Sequence, residues 1–196
     1  MSLSLNEVAA QARKAARGAG YSWGMAEEAG RAARWLCAQG LDGCGLLLAA
    51  LRRADTGGPG ACPLAAGVML SDGAAALSTA SLAYRSVVAP ALILPFAAGA
   101  AQALDRPVTV AWEGVEAVTD GTALSLAASG DAVLSGATDV TIRQGGTFAA
   151  PRAVCGRATP EPETWVALTA LAERTHAPVT DGSRLRGAGA GLSDND

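Results

Sequence analysis

Two segments pair arginine with closely spaced glycine. Near the end of the sequence, Arg184 and Arg186 lead into Gly187, Gly189 and Gly191, each glycine separated from the next by one alanine. Near the start, Arg17 is followed by Gly18 and Gly20, and then by Ser22. Glycine lets backbone N–H groups come close to an anion, and a guanidinium group binds carboxylate or phosphate through paired hydrogen bonds. Ser22 stands at the head of a predicted helix, where the free N–H groups of residues 22–25 favour negative charge. Arg17, Gly18, Gly20, Ser22, Arg184, Arg186, Gly187, Gly189 and Gly191 are therefore the candidate ligand-binding residues, for a small anionic ligand. Each segment also has a plainer reading: a helix C-cap followed by an N-cap at the first, a polar tail at the second. A dinucleotide fingerprint would need a strand before the 187–191 glycines and a helix after them, and no helix-length segment follows.

Other groupings are weaker. Cys155 precedes a predicted helix start by four residues, and a helix N-terminus lowers a thiol's pKa, so with His176 as base it is a nucleophile candidate. A buried structural thiol is the favoured reading. Ser183, His176 and Asp194 contain the residue types of a hydrolytic triad with nothing to place them together. Asp194 and Asp196 offer hard oxygens for Mg²⁺ or Ca²⁺, though solvated acids are the commoner case. Trp23, Trp35, Trp112 and Trp165 suit a ligand pocket or, more commonly, a core.

Scarcity excludes several classes. His176 is the only histidine, so a two-histidine metal site within one chain is ruled out. Lys14 is the only lysine, on the solvent side of a predicted helix, which argues against Schiff-base chemistry. The sequence holds no phosphate-binding GxxxxGK[ST] motif. No metal and no cofactor are assigned, no catalytic residue is named, and enzyme or not is left open.

The 196 residues carry 15 basic and 18 acidic side chains, a net charge of -3, with no basic stripe for nucleic acid and no polybasic patch for a membrane surface. Half the residues are hydrophobic but only 4% are aromatic, and 24 are glycine, so the core must close by near approach of backbones. The opening residues lack the charged and apolar regions of a signal peptide. The uncharged run Ser86–Leu104 contains Pro90 and Pro95 and reads as a buried strand running into a short helix, not a membrane span. Cys37, Cys44, Cys62 and Cys155 form no CxxC pair and are expected to be free thiols of a cytoplasmic protein.

One domain is expected over residues 1–196: helical over 1–55, a glycine-rich loop at 56–60, and mixed α/β over 61–196. Leu5–Arg17 reads as an amphipathic helix stopped at Gly18–Gly20, with Glu7, Gln11 and Lys14 facing water. Ser22 caps a second helix, about Trp23–Gln39, carrying a Glu27–Arg31 pair and a smooth Ala26, Gly30 and Ala33 face for another backbone. Leu41–Arg53 is a third helix. Leu64–Leu70 and Val87–Leu94 read as strands around a helix at Gly73–Tyr84. Pro107–Glu113, Val115–Thr119 and Thr122–Ala128 suggest an antiparallel meander, with a further strand at Asp139–Gln144. Thr159 caps a final helix running to about Thr175. The fold class is α+β, or α/β with an antiparallel section: N-terminal helices, a mixed sheet, a C-terminal helix.

Lys14–Arg31 (KAARGAGYSWGMAEEAGR) and Ser183–Asp196 (SRLRGAGAGLSDND) resemble the bacterial domain-of-unknown-function family 3726. The resemblance implies a bacterial cytoplasmic protein and brings no catalytic residues with it. Two functions compete. One is a small-molecule enzyme or metabolite-binding domain holding an anion on the Arg/Gly segments. The other is a non-catalytic homo-oligomer or partner-binding protein, probing a sister subunit with its smooth helix face; a dimer is expected.

Overall fold

Reciprocal hydrogen bonds start the first helix: the Glu7 N–H donates to Ser4 Oγ (3.2 Å) and the Ser4 N–H to Glu7 Oε2 (2.7 Å). This capping box satisfies two donors that the first turn would otherwise leave open. The computed structural model describes residues 1–53 and 62–175. The predicted loop at 56–60 lies outside them, as do His176, Ser183, Arg184, Arg186, Gly187, Gly189, Gly191, Asp194 and Asp196.

A two-residue strand β1 (Leu3–Ser4) precedes α1 (Leu5–Gly18), whose face of Val8, Ala12, Ala15 and Ala16 is buried. Helix α2 (Trp23–Ala38) starts at Ser22, whose Oγ accepts the Met25 N–H at 3.3 Å, as the sequence predicts. Asp42 does the same for Gly45 at the start of α3 (Gly43–Arg52). The smooth face of α2 meets a backbone of the same chain: a Cβ added at Gly30 would lie 2.8 Å from the Ala9 carbonyl oxygen. Ala26, Gly30 and Ala33 are buried there. The expected Glu27–Arg31 pair does not form. Arg31 pairs with Glu28, and Glu27 reaches across to Arg13 at 3.0 Å.

The middle of the chain departs from the sequence reading. Leu64–Leu70 is not a strand but most of helix α4 (Pro63–Asp72). Pro63 presets its first turn, and apolar residues on its outer side, such as Met69, remove the polar stripe that would mark a helix. The helix expected at Gly73–Tyr84 is a short 3-10 helix, Ala74–Ser78, leading into strand β2 (Leu82–Val88). The strand expected over Val87–Leu94 stops at Val88, where Ala89 turns left-handed (φ 47) into a 3-10 helix, Pro90–Ile93. Helix α5 (Leu94–Leu104) follows, with Pro95 in its first turn.

Strands β3 (Val108–Trp112), β4 (Val115–Thr119), β5 (Leu124–Ala128) and β6 (Ala137–Gln144) complete the sheet. Its order is β2-β6-β3-β4-β5, antiparallel throughout, which makes the fold α+β. Val108, Val110, Ala117 and Ile142 are fully buried on its inner face, where α5 packs on β3 and β4. The β4–β5 turn is held by Asp120, whose Oδ1 accepts from the N–H groups of Thr122 and Ala123, both at 2.8 Å. Those bonds hold the carboxyl below its usual range. Their support is therefore present above the unfolded-state pKa and fades as pH falls through the lower folded-state value.

After β6 the chain crosses the outer face of the sheet and returns to the helices. Strand β7 (Arg157–Ala158) pairs with β1, and α6 (Pro162–Glu173) packs on α1. The last helix starts two residues later than Thr159 predicts, with Glu161 at the N-cap and Pro162 first. Gln11, expected to face water, donates to Thr169 Oγ1 on α6 at 2.9 Å. Among the described residues, no helix is long and apolar enough to cross a membrane.

Gly18 marks the closest helix approach, since any Cβ there would collide with the Leu171 carbonyl oxygen of α6. Gly18→Ala is expected to destabilise the protein by about 1–3 kcal/mol through overpacking. Urea unfolding checks this; an unchanged midpoint would mean that α6 does not seat on α1.

Candidate functional site

The sequence-predicted residues that fall among the described ones sit at the α1–α2 corner. Gly20 (φ 96) makes the turn. Arg17 donates to the Tyr21 carbonyl, and its guanidinium carbon lies 4.6 Å from the centre of the Trp23 ring, which is 67% exposed. Ser22 Oγ is engaged by Met25. Arg17, Gly20 and Ser22 are thus together, while Gly18 faces α6. The corner's polar groups mostly serve its own turn. The other tryptophans follow the packing reading: Trp112 is 3% exposed, and Trp35 and Trp165 pack against the core.

A second arginine–glycine arrangement lies where α5 and β6 end. A cleft of about 570 Å³ is lined by Ser78, Thr79 and Ser81 beside the 3-10 helix, by Arg106 after α5, and by Arg143, Gly145 and Gly146 at the end of β6. Pairing of β3 with β6 sets Val108 opposite Gln144, which brings the two arginine-bearing segments together. Gly145 (φ 85) and Gly146 (φ 128) are consecutive left-handed residues, and the Gly145 N–H donates to the Pro107 carbonyl at 2.6 Å. No carboxylate lines the cleft among the described residues. Glu116, on the outer sheet face, takes one N–H of Arg143 at 3.0 Å, and Arg106 has no ion-pair partner among the described residues. A shallow hollow elsewhere on the sheet is lined by Glu113, Glu116 and Asp139 instead, so the two hollows differ in the sign of their charge.

The segment leaving Gly146 is a strap. It crosses the row Thr109, Val118, Ser125 on the sheet: Thr109 Oγ1 donates to the Gly145 carbonyl at 2.5 Å, and the Ala149 N–H donates to Ser125 Oγ at 3.2 Å. It then docks on the C-terminus of α2. Arg152 donates to the carbonyls of Gln39 (2.7 Å) and Gly40 (3.2 Å), and the Cys155 N–H to that of Ala38 (2.7 Å). These are carbonyls that a helix end leaves unpaired.

Beneath the strap lies a cavity of about 350 Å³, lined by Cys37, Gly40, Asp42, Cys155, Arg157 and Glu161 among others. All four cysteines are free thiols. Cys37, 6% exposed, ends α2, and Cys44, 1% exposed, begins α3. The Cys37 sulfur lies against the α2–α3 corner, where a Cβ added at Gly43 would be 3.1 Å from it. Proximity to Cys44 lowers the Cys37 thiol's pKa, against burial and the Asp42 charge. Cys44, beside Cys37 and buried in the core, is pushed up. Cys155, a structural thiol by the favoured sequence reading, is half-buried and lines the same cavity; His176 lies outside the described residues.

Residues 3–82 match the model of a family described as Protein of unknown function (DUF3726). The resemblance drawn from the sequence therefore holds over α1 to α4 and to the first residue of β2. That span includes Lys14–Arg31 and the Cys37–Cys44 corner; Arg106, Arg143 and the strap lie beyond it, as does Ser183–Asp196. No curated protein and no solved structure matches the chain.

Sequence reasoning missed Arg106, Arg143, Gly145 and Gly146. Arg143-Gln144-Gly145-Gly146 was a visible arginine–glycine signal, but its second arginine is 37 residues away by number (143 − 106) and is brought near only by strand pairing. Arg152→Ala, which removes two charge-assisted bonds to the α2 carbonyls, is expected to cost about 1–2 kcal/mol. It should also speed alkylation of Cys155 in the native protein. Unchanged stability and alkylation would show that the strap does not depend on this anchor.

Proposed function

We propose that the protein binds a small anionic metabolite, a carboxylate or a phosphate ester, in the cleft between Arg106 and Arg143. One observation carries this reading: Arg106 and Arg143, from separate elements, line a cleft free of lining carboxylates, beside two consecutive left-handed glycines, with Arg143 also paired to Glu116 outside it. Guanidinium groups match the planar or trigonal oxygens of such anions, and Ser81 and the neighbouring backbone supply neutral polar contacts. The ligand class is the one expected from the sequence, and the position is different. The corner at Arg17, Gly18, Gly20 and Ser22 is the less favoured site, because Gly18 abuts α6 and Ser22 Oγ already accepts from the Met25 N–H. Arg184, Arg186 and the 187–191 glycines lie outside the described residues.

Isothermal titration of the full chain with inorganic phosphate, citrate and small phosphate esters tests it. At least one should bind, more weakly as salt rises, because exposed charges are screened. Arg106→Ala and Arg143→Ala should each weaken binding about tenfold or more, the loss of one charge-assisted contact, while Arg17→Ala leaves it unchanged. Equal binding by wild type and the Arg106→Ala, Arg143→Ala double variant would overturn the assignment. So would loss of binding in Arg17→Ala alone.

Self-association is the second reading, and the α2 face that suggested it is occupied by α1. Favouring it is the outer sheet face, where Ala83, Thr141 and Ala127 are small and exposed. A dimeric mass by light scattering that Ala127→Arg converts to monomer would support this surface.

A further inference from the structure

We propose that the ligand of the Arg106–Arg143 cleft is a hydroxylated anion, a polyol phosphate or a hydroxy carboxylate, which sets its hydroxyl groups against Ser78 and Thr79. This rests on the anion-binding reading of the cleft and adds the chemistry of the ligand's uncharged part. The hydrogen bonds of those two side chains carry it. Ser78 Oγ donates to the Ala75 carbonyl at 2.7 Å, and Thr79 Oγ1 donates to the Ala76 carbonyl at 3.2 Å. A hydroxyl has one proton to give, so toward anything in the cleft both oxygens can only accept. Both residues are exposed, and both line the cleft with the two arginines.

The lining is therefore divided. Arg106, and the N–H groups of Arg143 not given to Glu116, can only donate, and they carry the positive charge. The Gly145 N–H is already spent on the Pro107 carbonyl at 2.6 Å, which leaves the guanidinium groups as the charged donors for an anion. Ser78 and Thr79 are neutral acceptors. They come from the 3-10 helix and the residue after it, whereas the arginines come from the segment after α5 and from β6. Separate elements thus read separate parts of the ligand. A bare anion offers acceptors alone, so it answers the arginines and gives Ser78 and Thr79 nothing to accept. A ligand that answers both sets carries O–H or N–H donors apart from its charged group. Charge chooses between those donors. An ammonium group would enter beside two guanidinium groups, with no lining carboxylate among the described residues to offset it, and like charges brought together are unfavourable. A hydroxyl carries no such cost. The volume agrees, since about 570 Å³ leaves room beyond the charged group and falls within the roughly 300–1,000 Å³ of small-molecule sites.

Isothermal titration of the full chain with matched three-carbon ligands tests this. Glycerol 3-phosphate and n-propyl phosphate share a charged group and differ in their hydroxyls; glycerate and propionate are the corresponding carboxylate pair. Glycerol 3-phosphate, glycerate or both should bind about threefold or more tighter than the partner without hydroxyls, the effect of one or two neutral hydrogen bonds made against water. The pair with the larger ratio identifies the charged group as phosphate or carboxylate. Phosphoethanolamine should bind no more tightly than n-propyl phosphate. Ser78→Ala and Thr79→Val should each bring the ratio toward one. Ratios of one in both pairs for the wild type, with salt-sensitive binding retained, would overturn the hydroxyl assignment and leave the anion reading standing. No binding by any of the five ligands would overturn both. Phosphoethanolamine binding as tightly as glycerol 3-phosphate would overturn the choice of hydroxyl, and a ratio kept by the folded Ser78→Ala, Thr79→Val double variant would overturn the role of those side chains.

Discussion

Gly18 against the Leu171 carbonyl, Gly30 against that of Ala9, and Gly43 against that of Ala33 bring α1, α2, α3 and α6 together at backbone contact. With so few aromatic residues, the chain has little bulk to fill a space between elements, and a void would forfeit dispersion contacts on both sides. Closing the space is the remaining solution, and it needs residues without side chains at the crossings. The alanines of α1 and α2 extend the same logic along their length, and most of them are fully buried. Gly67 applies it to α4, where an added Cβ would run into the Phe96 ring of α5. Position in the helical layer is thus set by sterics, and little freedom is left for α2 and α3 to shift about their shared corner.

The strap joins that rigid layer to two hollows. It begins at Gly145 and Gly146, beside the cleft lined by Arg106 and Arg143, and ends at Cys155 to Glu161, beside the smaller cavity. Between them it is fastened to the sheet through Thr109, Ser125 and the Leu124 carbonyl, and to α2 through Arg152 and the Cys155 N–H. Both hollows therefore have one wall made by the same connection and another made by regular structure. The walls of the first carry Arg106 and Arg143. Those of the second carry Cys37 and Cys155.

Where local rules governed, the sequence was legible. Ser22 capped α2, the Gly114 and Asp120 turns bounded the meander, and the α+β order was as read. Ser4 and Glu7 carry the capping-box spacing just ahead of the apolar stripe of α1. Residues 63–104 were misread because an all-round buried helix and a buried strand show the same unbroken apolar run, and Pro63, Pro90 and Pro95 marked helix starts that the strand reading ignored. The functional residues were harder to see. Arg106 and Arg143 come to line one cleft through the β3–β6 register, and Cys37 comes against the start of α3 through a corner whose tightness depends on Gly43. Neither is a spacing along the chain, so no motif recorded it. The family match over residues 3–82 bore out the first half of the resemblance.

The measurement that bears most directly on this account is an amide-resolved NMR titration of the full chain with inorganic phosphate. It reads both arginine–glycine regions at once without any substitution. The account predicts saturable shifts concentrated at residues 78–81, 106 and 143–146, with the α1–α2 corner silent. Shifts centred on residues 17–25, or spread evenly over the surface without saturation, would contradict it.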